Sequence, residues 1–243
     1  MLEIVNADCL EFLARCRKDK YQMIFADPPD NIGLKYNSHK DSVDENIYYS
    51  HLSQLINAAI RRTPTFWLSY YWKHDVPIKH IIYKLQQMHY PKLQVKTFIW
   101  RFTFGQHNKW DCGSGFRFLV RMQHGNYRLN PKEIMEMSER QRMDDPRANP
   151  DGRVPDDVWE FPRVVGNAYE RRRWHPTQHP EALMQRIIEF CTDLDDNILD
   201  LYSGTGTTLR AAMKLNRNCT GVESDPIYCQ NIKTELLLKE IIM

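Results

Sequence analysis

An open α/β sheet with helices on both faces is the fold class this sequence predicts, and three observations predict it. Short apolar runs alternate along the chain with stretches of helical apolar spacing. Two of the runs end in loop-forming residues, Asp27-Pro28-Pro29 and Ser203-Gly204-Thr205-Gly206, as buried parallel strands do where they leave a sheet. Two further runs, joined through a glycine-containing connection, predict an antiparallel element at the end of that sheet.

The chain opens on MLEIVNADCLEFL, which alternates and then turns amphipathic, with no basic segment and no cleavage site. That predicts structure from the outset and not a targeting signal. Residues 21–26 (YQMIFA) predict a buried strand, and 46–61 a helix with apolar positions at Ile47, Leu52, Leu55, Ile56 and Ala59. Residues 65–71 (TFWLSYY) predict a strand and 78–88 a helix, and the β-rich pair is 94–102 with 115–122. From 125 to 152 the periodicity fails in favour of charge, Asn and Pro, which reads as a long loop. Loops beyond about 12–15 residues are uncommon unless functional or disordered. Regular structure returns with a helix over 180–191, a strand over 197–202, a helix over 207–215, a strand over 219–223 and a closing helix after Pro226.

Composition narrows the class. The 243 residues, 42% apolar and 26% charged, describe a globular chain, and no apolar stretch approaches the roughly 18–20 residues of a bilayer span. A cytoplasmic protein without a membrane partner is expected. Six cysteines (Cys9, Cys16, Cys112, Cys191, Cys219, Cys229) lie far apart without a C-x-x-C pair, and are expected as free thiols in a reducing compartment. His175 and His179 are four apart, but Pro176 and Pro180 make that stretch extended, so no metal site is expected. The net charge of +2 is too small to mark nucleic-acid binding, so any basic surface must be local.

Asp200-Leu-Tyr-Ser-Gly-Thr-Gly-Thr-Thr208 follows a predicted strand and precedes a predicted helix. Its glycines permit a sharp turn and a close approach of ligand to bare backbone. Glu223 closes the next strand, 19 positions after Gly204, where a carboxylate can accept both hydroxyl hydrogens of a ribose. The segment reads as a tight β–α turn, as a dinucleotide site, or as a site for a nucleoside cofactor without a pyrophosphate. Leu209 stands where the dinucleotide fingerprint needs its third glycine, which favours the last.

Asp27-Pro28-Pro29 sits at a strand's carboxyl end, where open α/β sheets place ligands. It reads either as a rigid turn or as a pair of fixed acceptors, the Asp27 carboxylate and the Pro28 carbonyl, since two prolines remove two donors. Such a pair suits methylation of a base amino group, whose lone pair is delocalised into the ring. Accepting both N–H groups draws the nitrogen toward a tetrahedral form and frees that pair for in-line attack on a sulfonium methyl. Orientation of this kind supplies roughly 7–11 kcal/mol.

Together these motifs resemble the permuted (β-type) amino-methyltransferases of DNA, in which the catalytic loop precedes the cofactor loop. Ala26-Asp27-Pro28-Pro29 is similar to the family's catalytic segment, His175-Pro-Thr-Gln-His-Pro180 to its HPTQKP segment, and Asp200–Thr208 to its glycine-rich loop. Val222-Glu223 with Asp225-Pro226 resembles the ribose-binding strand end, and Asn6-Ala7-Asp8-Cys9 the N-terminal segment whose Asp contacts the cofactor adenine. The resemblance covers nearly the whole chain. It implies a Rossmann-like, doubly wound, mostly parallel sheet with one antiparallel strand and a small target-recognition insert. The implied cofactor is S-adenosylmethionine, and the partner DNA, with a target base extruded from the duplex. The implied division is 1–124 as the catalytic part of the core, 125–162 as the insert and 163–243 as the cofactor-binding part.

By the same resemblance, Asp27, Pro28, Pro29 and Asp30 form the catalytic loop. The cofactor set is Asp8, Cys9, Asp27, His175, Thr177, Gln178, Asp200, Tyr202, Ser203, Gly204, Gly206, Thr207, Thr208 and Glu223. Arg128, Lys132, Arg140, Arg142, Arg147 and Arg153, with the run Arg171-Arg172-Arg173, are DNA-contact candidates or members of solvated charged loops. Asp27 in place of Ser implies N6 of adenine as the target; the alternatives are N4 of cytosine or a non-catalytic DNA-binding relative. The last is motivated by Asp30, which stands where the family carries a base-stacking aromatic. Tyr36, Trp67, Phe104 and Trp110 are candidate replacements for it. Asp30 is also expected to raise the proton affinity of Asp27 if both are buried. His179 replaces the family's Lys. The oligomeric state is left open, a homodimer included.

Overall fold

In a computed structural model, described over residues 1–102 and 109–240, the first half of the chain alternates β1 (Leu2–Asn6), α1 (Cys9–Arg15), β2 (Met23–Ala26), α2 (Glu45–Ile60), β3 (Thr65–Tyr70) and α3 (Asp75–Met88). The β-rich pair follows as β4 (Gln94–Arg101) and β5 (Phe116–Gln123), then α4 (Glu139–Arg142) and β6 (Val158–Glu160). The second half runs α5 (Glu181–Cys191), β7 (Asn197–Asp200), α6 (Thr207–Lys214), β8 (Asn218–Glu223) and α7 (Pro226–Glu240). The strands form one sheet in the order β1-β8-β7-β2-β3-β5-β4-β6. Only β5 runs against its neighbours, pairing antiparallel with β3 and β4, while β6 lies parallel to β4.

Period-two alternation explains the double winding. Met23 and Phe25 of β2 face a core shared with α5, α6 and α7, through Met184, Ile187, Leu209 and Ile232. Ile24 and Ala26 face the opposite core with α1, α2 and α3, through Leu13, Leu52, Ile56 and Ile82. Along α2 the buried stripe is Tyr48, Leu52, Leu55, Ile56 and Ala59, whereas Ile47, expected inside, is 64% exposed. Among the described residues no helix is long and apolar enough to cross a membrane.

The stretch 125–152 is less loop-like than its composition suggests. Ile134 buries into the first core, and Asn130 ties the segment to the end of α5 through Phe190 O (2.8 Å) and Thr192 O (2.9 Å). A capping box of Ser138 and Gln141 starts α4. In β6, Trp159 is buried against Phe98, ring centroids 4.8 Å apart. These elements are three or four residues long, too short to imprint a period.

Gly221 of β8 shows how tightly the Ser203–Gly206 turn is seated. A Cβ there would collide with the Ser203 hydroxyl, 2.7 Å from Leu209 Cδ1 and 2.9 Å from Ile4 Cδ1. Gly221→Val is expected to destabilise the fold by about 1–3 kcal/mol through overpacking. At roughly 2–4 °C per kcal/mol for a chain of this size, thermal unfolding reads this directly. An unchanged Tm would mean that Ser203 and α6 shift without strain.

Candidate active site

The two motif loops leave neighbouring parallel strands. In the β2–β7 pairing Phe25 stands opposite Asp200, and Leu201 N donates to Phe25 O at 3.0 Å. From β2 the chain steps to β3 on one side, and from β7 to β8 on the other, so the strand order reverses between them. Crevices at such switch points are where α/β sheets bind ligands. Here the crevice is a cavity of about 330 Å³.

The cavity gathers most of the expected residues. Asp8, Cys9, Asp27, Pro28, Pro29, His175, Thr177, Gln178, Asp200, Tyr202, Ser203, Gly204, Thr207, Thr208 and Glu223 all line it, and Asp30 and Gly206 do not. Residues that the motifs did not flag also line it: Tyr48 and His51 on one face of α2, and Asn31, His39, Asp41 and Val43 from the segment after the diproline. That segment is tied across the chain, with Asn37 N donating to the Tyr228 hydroxyl (3.0 Å) and Asn37 Nδ2 to Asp225 Oδ2 (3.0 Å). Asp41, itself buried, accepts from Asn31 N (2.7 Å) and Leu34 N (2.9 Å).

The glycines have different tasks. Gly204, at φ +49°, donates its N–H to Glu223 Oε2 at 2.9 Å, and a Cβ on it would reach within 3.2 Å of the His175 ring. Gly206, at φ +73°, starts α6 and packs on Ile232, so it shapes the turn from behind. Glu223 Oε1 accepts Asp225 N at 2.9 Å, so each of its oxygens holds one backbone amide. Asp8 caps α1, accepting Leu10 N (2.8 Å) and Glu11 N (3.0 Å). Beside it the Tyr202 hydroxyl lies 2.9 Å from His51 Nε2 and accepts from Cys9 Sγ at 3.2 Å.

At the diproline corner, the neighbour that sequence reading missed is Arg117 of β5. Its Nη2 donates to Asp27 Oδ1 at 2.8 Å and its Nη1 to Asp30 Oδ2 at 2.5 Å. Burial alone would push the Asp27 carboxyl up, but the Arg117 guanidinium outweighs it and holds the group below its ordinary value. The expected rise in Asp27 proton affinity is therefore corrected, because a cation separates the two carboxylates. Of the aromatics, Tyr36 lines the cavity and Trp67 is buried in the core beside Phe98. Trp110 is exposed and away from the lining, and Phe104 lies outside the described residues.

The donor set suits a cationic nucleoside. Asp8, Asp27, Asp41, Asp200, Glu223 and Asp225 face the cavity, and the side chains there that can carry positive charge are histidines. The Tyr48 hydroxyl, buried at the wall, has no hydrogen-bond partner among the described residues. Asp200 accepts from Tyr202 N at 3.1 Å, and its pKa is pushed up to about 7 by burial.

A family model described as DNA methylase (N6_N4_Mtase) matches residues 21–234. The chain belongs to this DNA methylase family. DNA adenine methyltransferase YhdJ of Escherichia coli (strain K12) is 28% identical over 238 residues, covering 93% of this chain and 79% of the relative. Type II methyltransferase M.ScaI of Streptomyces caespitosus is 26% identical, covering 90% and 76%. PvuII DNA methyltransferase (cytosine-N4-specific) shares the fold at a TM-score of 0.72 with 12% identity, covering 96% of this chain and 85% of its own. The M1.HpyAVI–SAM complex does so at 0.63 with 20% identity, covering 97% and 100%. The DNA methylase described here is thus an S-adenosylmethionine-dependent enzyme that methylates a base amino group, N6 of adenine or N4 of cytosine.

That cofactor carries a sulfonium and an ammonium group, and so fits the acidic cavity of this DNA methylase. With the Asp200 pKa near 7, the carboxyl is largely neutral in mild acid, and a bound cation favours its charged form. Cofactor affinity is expected to rise with pH up to about 7 and then level off, with a proton released on binding near pH 6. Calorimetry in buffers of different ionisation enthalpy checks this; a pH-independent affinity with no proton release would contradict it.

The basic DNA-contact candidates of the DNA methylase divide by pairing. Arg128 pairs with Asp193, Arg142 with Glu139, Arg147 with Asp145, Arg153 with Glu136, and Arg172 with Glu235. Among the described residues, Lys132, Arg140, Arg171 and Arg173 have no carboxylate within 4.0 Å. Arg173 donates instead to Asn167 Oδ1 at 3.3 Å.

Proposed function

We propose that this enzyme methylates N6 of adenine in DNA, with Asp27 and the Pro28 carbonyl accepting the two amino hydrogens. The observation that carries the reading is the opening of the Asp27-Pro28-Pro29 corner and the Gly204 turn onto one cavity. S-adenosylmethionine supplies a methyl on a sulfonium centre. Glu223 would hold the ribose hydroxyls, Asp200 the positive end of the amino-acid portion, and Asp8, Cys9 and His51 the base end. Asp27, kept ionised, accepts a hydrogen bond without trapping the proton. His179, whose pKa burial lowers, stays uncharged beside it, its Nδ1 3.5 Å from Asp27 Oδ2.

Asp at position 27 favours adenine, in keeping with the adenine specificity in the name of the Escherichia coli relative. Asp30, the motive for a non-catalytic alternative, turns to Arg117 and puts no carboxylate into the cavity. Incubation of unmethylated genomic DNA with cofactor, followed by nucleoside mass spectrometry, tests the reading. N6-methyladenine is expected; N4-methylcytosine would move the target to cytosine, and an unmodified product would reject both. Duplex DNA is the proposed substrate, with the base extruded. Competition with single-stranded DNA and RNA checks that point.

Arg171 and Arg173 precede the His175–Gln178 wall and are the proposed phosphate contacts. Replacing both by Ala is expected to lower the slope of log affinity against log salt by roughly 2, whatever the DNA sequence. Replacing Arg147, already paired with Asp145, is expected to change it less. Equal slopes in all variants would place the DNA elsewhere.

A further inference from the structure

The corner loop carries two carboxylates three positions apart and functions beside one guanidinium. Arg117 bridges them: Nη2 donates to Asp27 Oδ1 at 2.8 Å and to Asp30 Oδ1 at 3.1 Å, and Nη1 to Asp30 Oδ2 at 2.5 Å. Its Nε donates to Ser69 Oγ of β3 at 3.2 Å, and Ser69 Oγ in turn lies 3.3 Å from His179 Nε2. Asp30 is anchored on its other side, where its Oδ1 accepts Tyr71 N at 3.1 Å and its carbonyl oxygen lies 2.6 Å from His74 Nε2. All three charged side chains are largely buried, with 17% of Arg117, 20% of Asp27 and 9% of Asp30 exposed. Surface ion pairs are worth little, but a shielded fork that uses three nitrogens fixes position as well as charge.

We infer that Arg117 is a positioning residue for methyl transfer, gripping Asp27 through Oδ1 with Asp30 as its second anchor, so that Oδ2 is the oxygen left to meet the substrate amino group. The inference rests on the reading of Asp27 as the amino-group acceptor. It explains why a carboxylate is tolerated directly after the diproline: Asp30 fixes the guanidinium that in turn fixes Asp27. The groups facing Asp27 are Arg117 from β5, His179 and His175 from the 175–180 segment, Tyr36, Asp200 from β7 and Asp30. Arg117 is the permanent cation among them, since burial lowers the pKa of both histidines. Without it, two neighbouring carboxylates would share a poorly hydrated corner, and one would titrate toward neutral pH.

Carboxyl carbon NMR of the cofactor-free protein, labelled in aspartate, reads the clamp without reference to activity. The Asp27 signal, assigned through Asp27→Asn, is expected to titrate below the ordinary aspartate range in the wild type. In Arg117→Met it is expected to move up by roughly 1–3 pH units. The acid limb of kcat should move with it, while the KM for cofactor stays within about threefold. Adding Asp30→Asn should bring the limb back toward wild type, because the like charge is gone. An ordinary Asp27 titration in the wild type would overturn the inference even if Arg117→Met does not fold. So would an Arg117→Met enzyme with an unmoved pH profile, or one impaired equally at every pH. Asp27→Ala tests the underlying reading separately: turnover in that variant would remove Asp27 from the chemistry while leaving the wild-type titration as a finding about the clamp.

Discussion

Asp27→Ala is expected to lower methyl transfer by on the order of 10³-fold or more, with cofactor affinity changed only a few-fold. The size follows from what the side chain does for a weak nucleophile. The amino nitrogen becomes reactive as its lone pair leaves the ring, and an ionised acceptor on one N–H stabilises that change as it develops. Removing a group of this kind typically costs about 10²–10⁴-fold. Cofactor binding should largely survive, because in the proposed reading Glu223, Gly204 and Asp200, which line the cavity from the β7 and β8 strand ends, would hold other parts of the ligand. The fold should survive too, since Arg117 keeps Asp30 as a partner. Asp27→Asn retains an acceptor oxygen without the charge and should fall between the two. Single-turnover rates with saturating cofactor, beside calorimetric affinities, separate these effects. Substantial turnover by Asp27→Ala would refute the mechanism, and loss of cofactor binding with loss of rate would make Asp27 a binding residue.

How far this site was legible in the sequence depends on the reach of each interaction. Asp27-Pro28-Pro29 and Gly204-Thr205-Gly206 announce themselves because strand, turn and helix follow one another locally, and the parallel sheet then fixes where such turns point. Arg117 was not legible: it stands in the run GFRFLVRM, and nothing within that run tells which carboxylates lie 87 and 90 positions earlier. A cation inside an otherwise apolar strand was the available signal, and it is ambiguous, because Arg121 four residues on stacks on Phe98 and Phe190 instead. Tyr48 and His51 were hidden in a helix read for its core stripe, though they share a face that meets the cavity. β6 was missed because three residues make a strand only when β4 offers an open edge. Several arginines of 125–162 looked free in one dimension and are paired in three, Arg153 with Glu136 and Arg128 with Asp193.

The second large effect is expected at Glu223, where the usual conservative replacement should not be conservative. Both carboxylate oxygens already accept a backbone amide, Gly204 N on Oε2 and Asp225 N on Oε1, each at 2.9 Å. Glu223 lines the cavity, where in the proposed reading a ribose diol would offer two donors to the remaining lone pairs. Two charge-assisted bonds at about 1.5–3 kcal/mol each put the loss for Glu223→Ala at roughly 10²–10⁴-fold in cofactor affinity. Glu223→Gln replaces one oxygen with an amino group, which sets donor against donor at one of the two amides whichever way the side chain turns. It should therefore lose nearly as much as Ala, whereas a site with one free oxygen would lose only about tenfold. A cofactor analogue lacking the ribose hydroxyls isolates the contact from the loop it supports. The wild type should bind that analogue far more weakly than the parent compound, and Glu223→Ala should bind the two about equally. If both proteins discriminate alike, Glu223 holds the turn in shape but does not read the sugar.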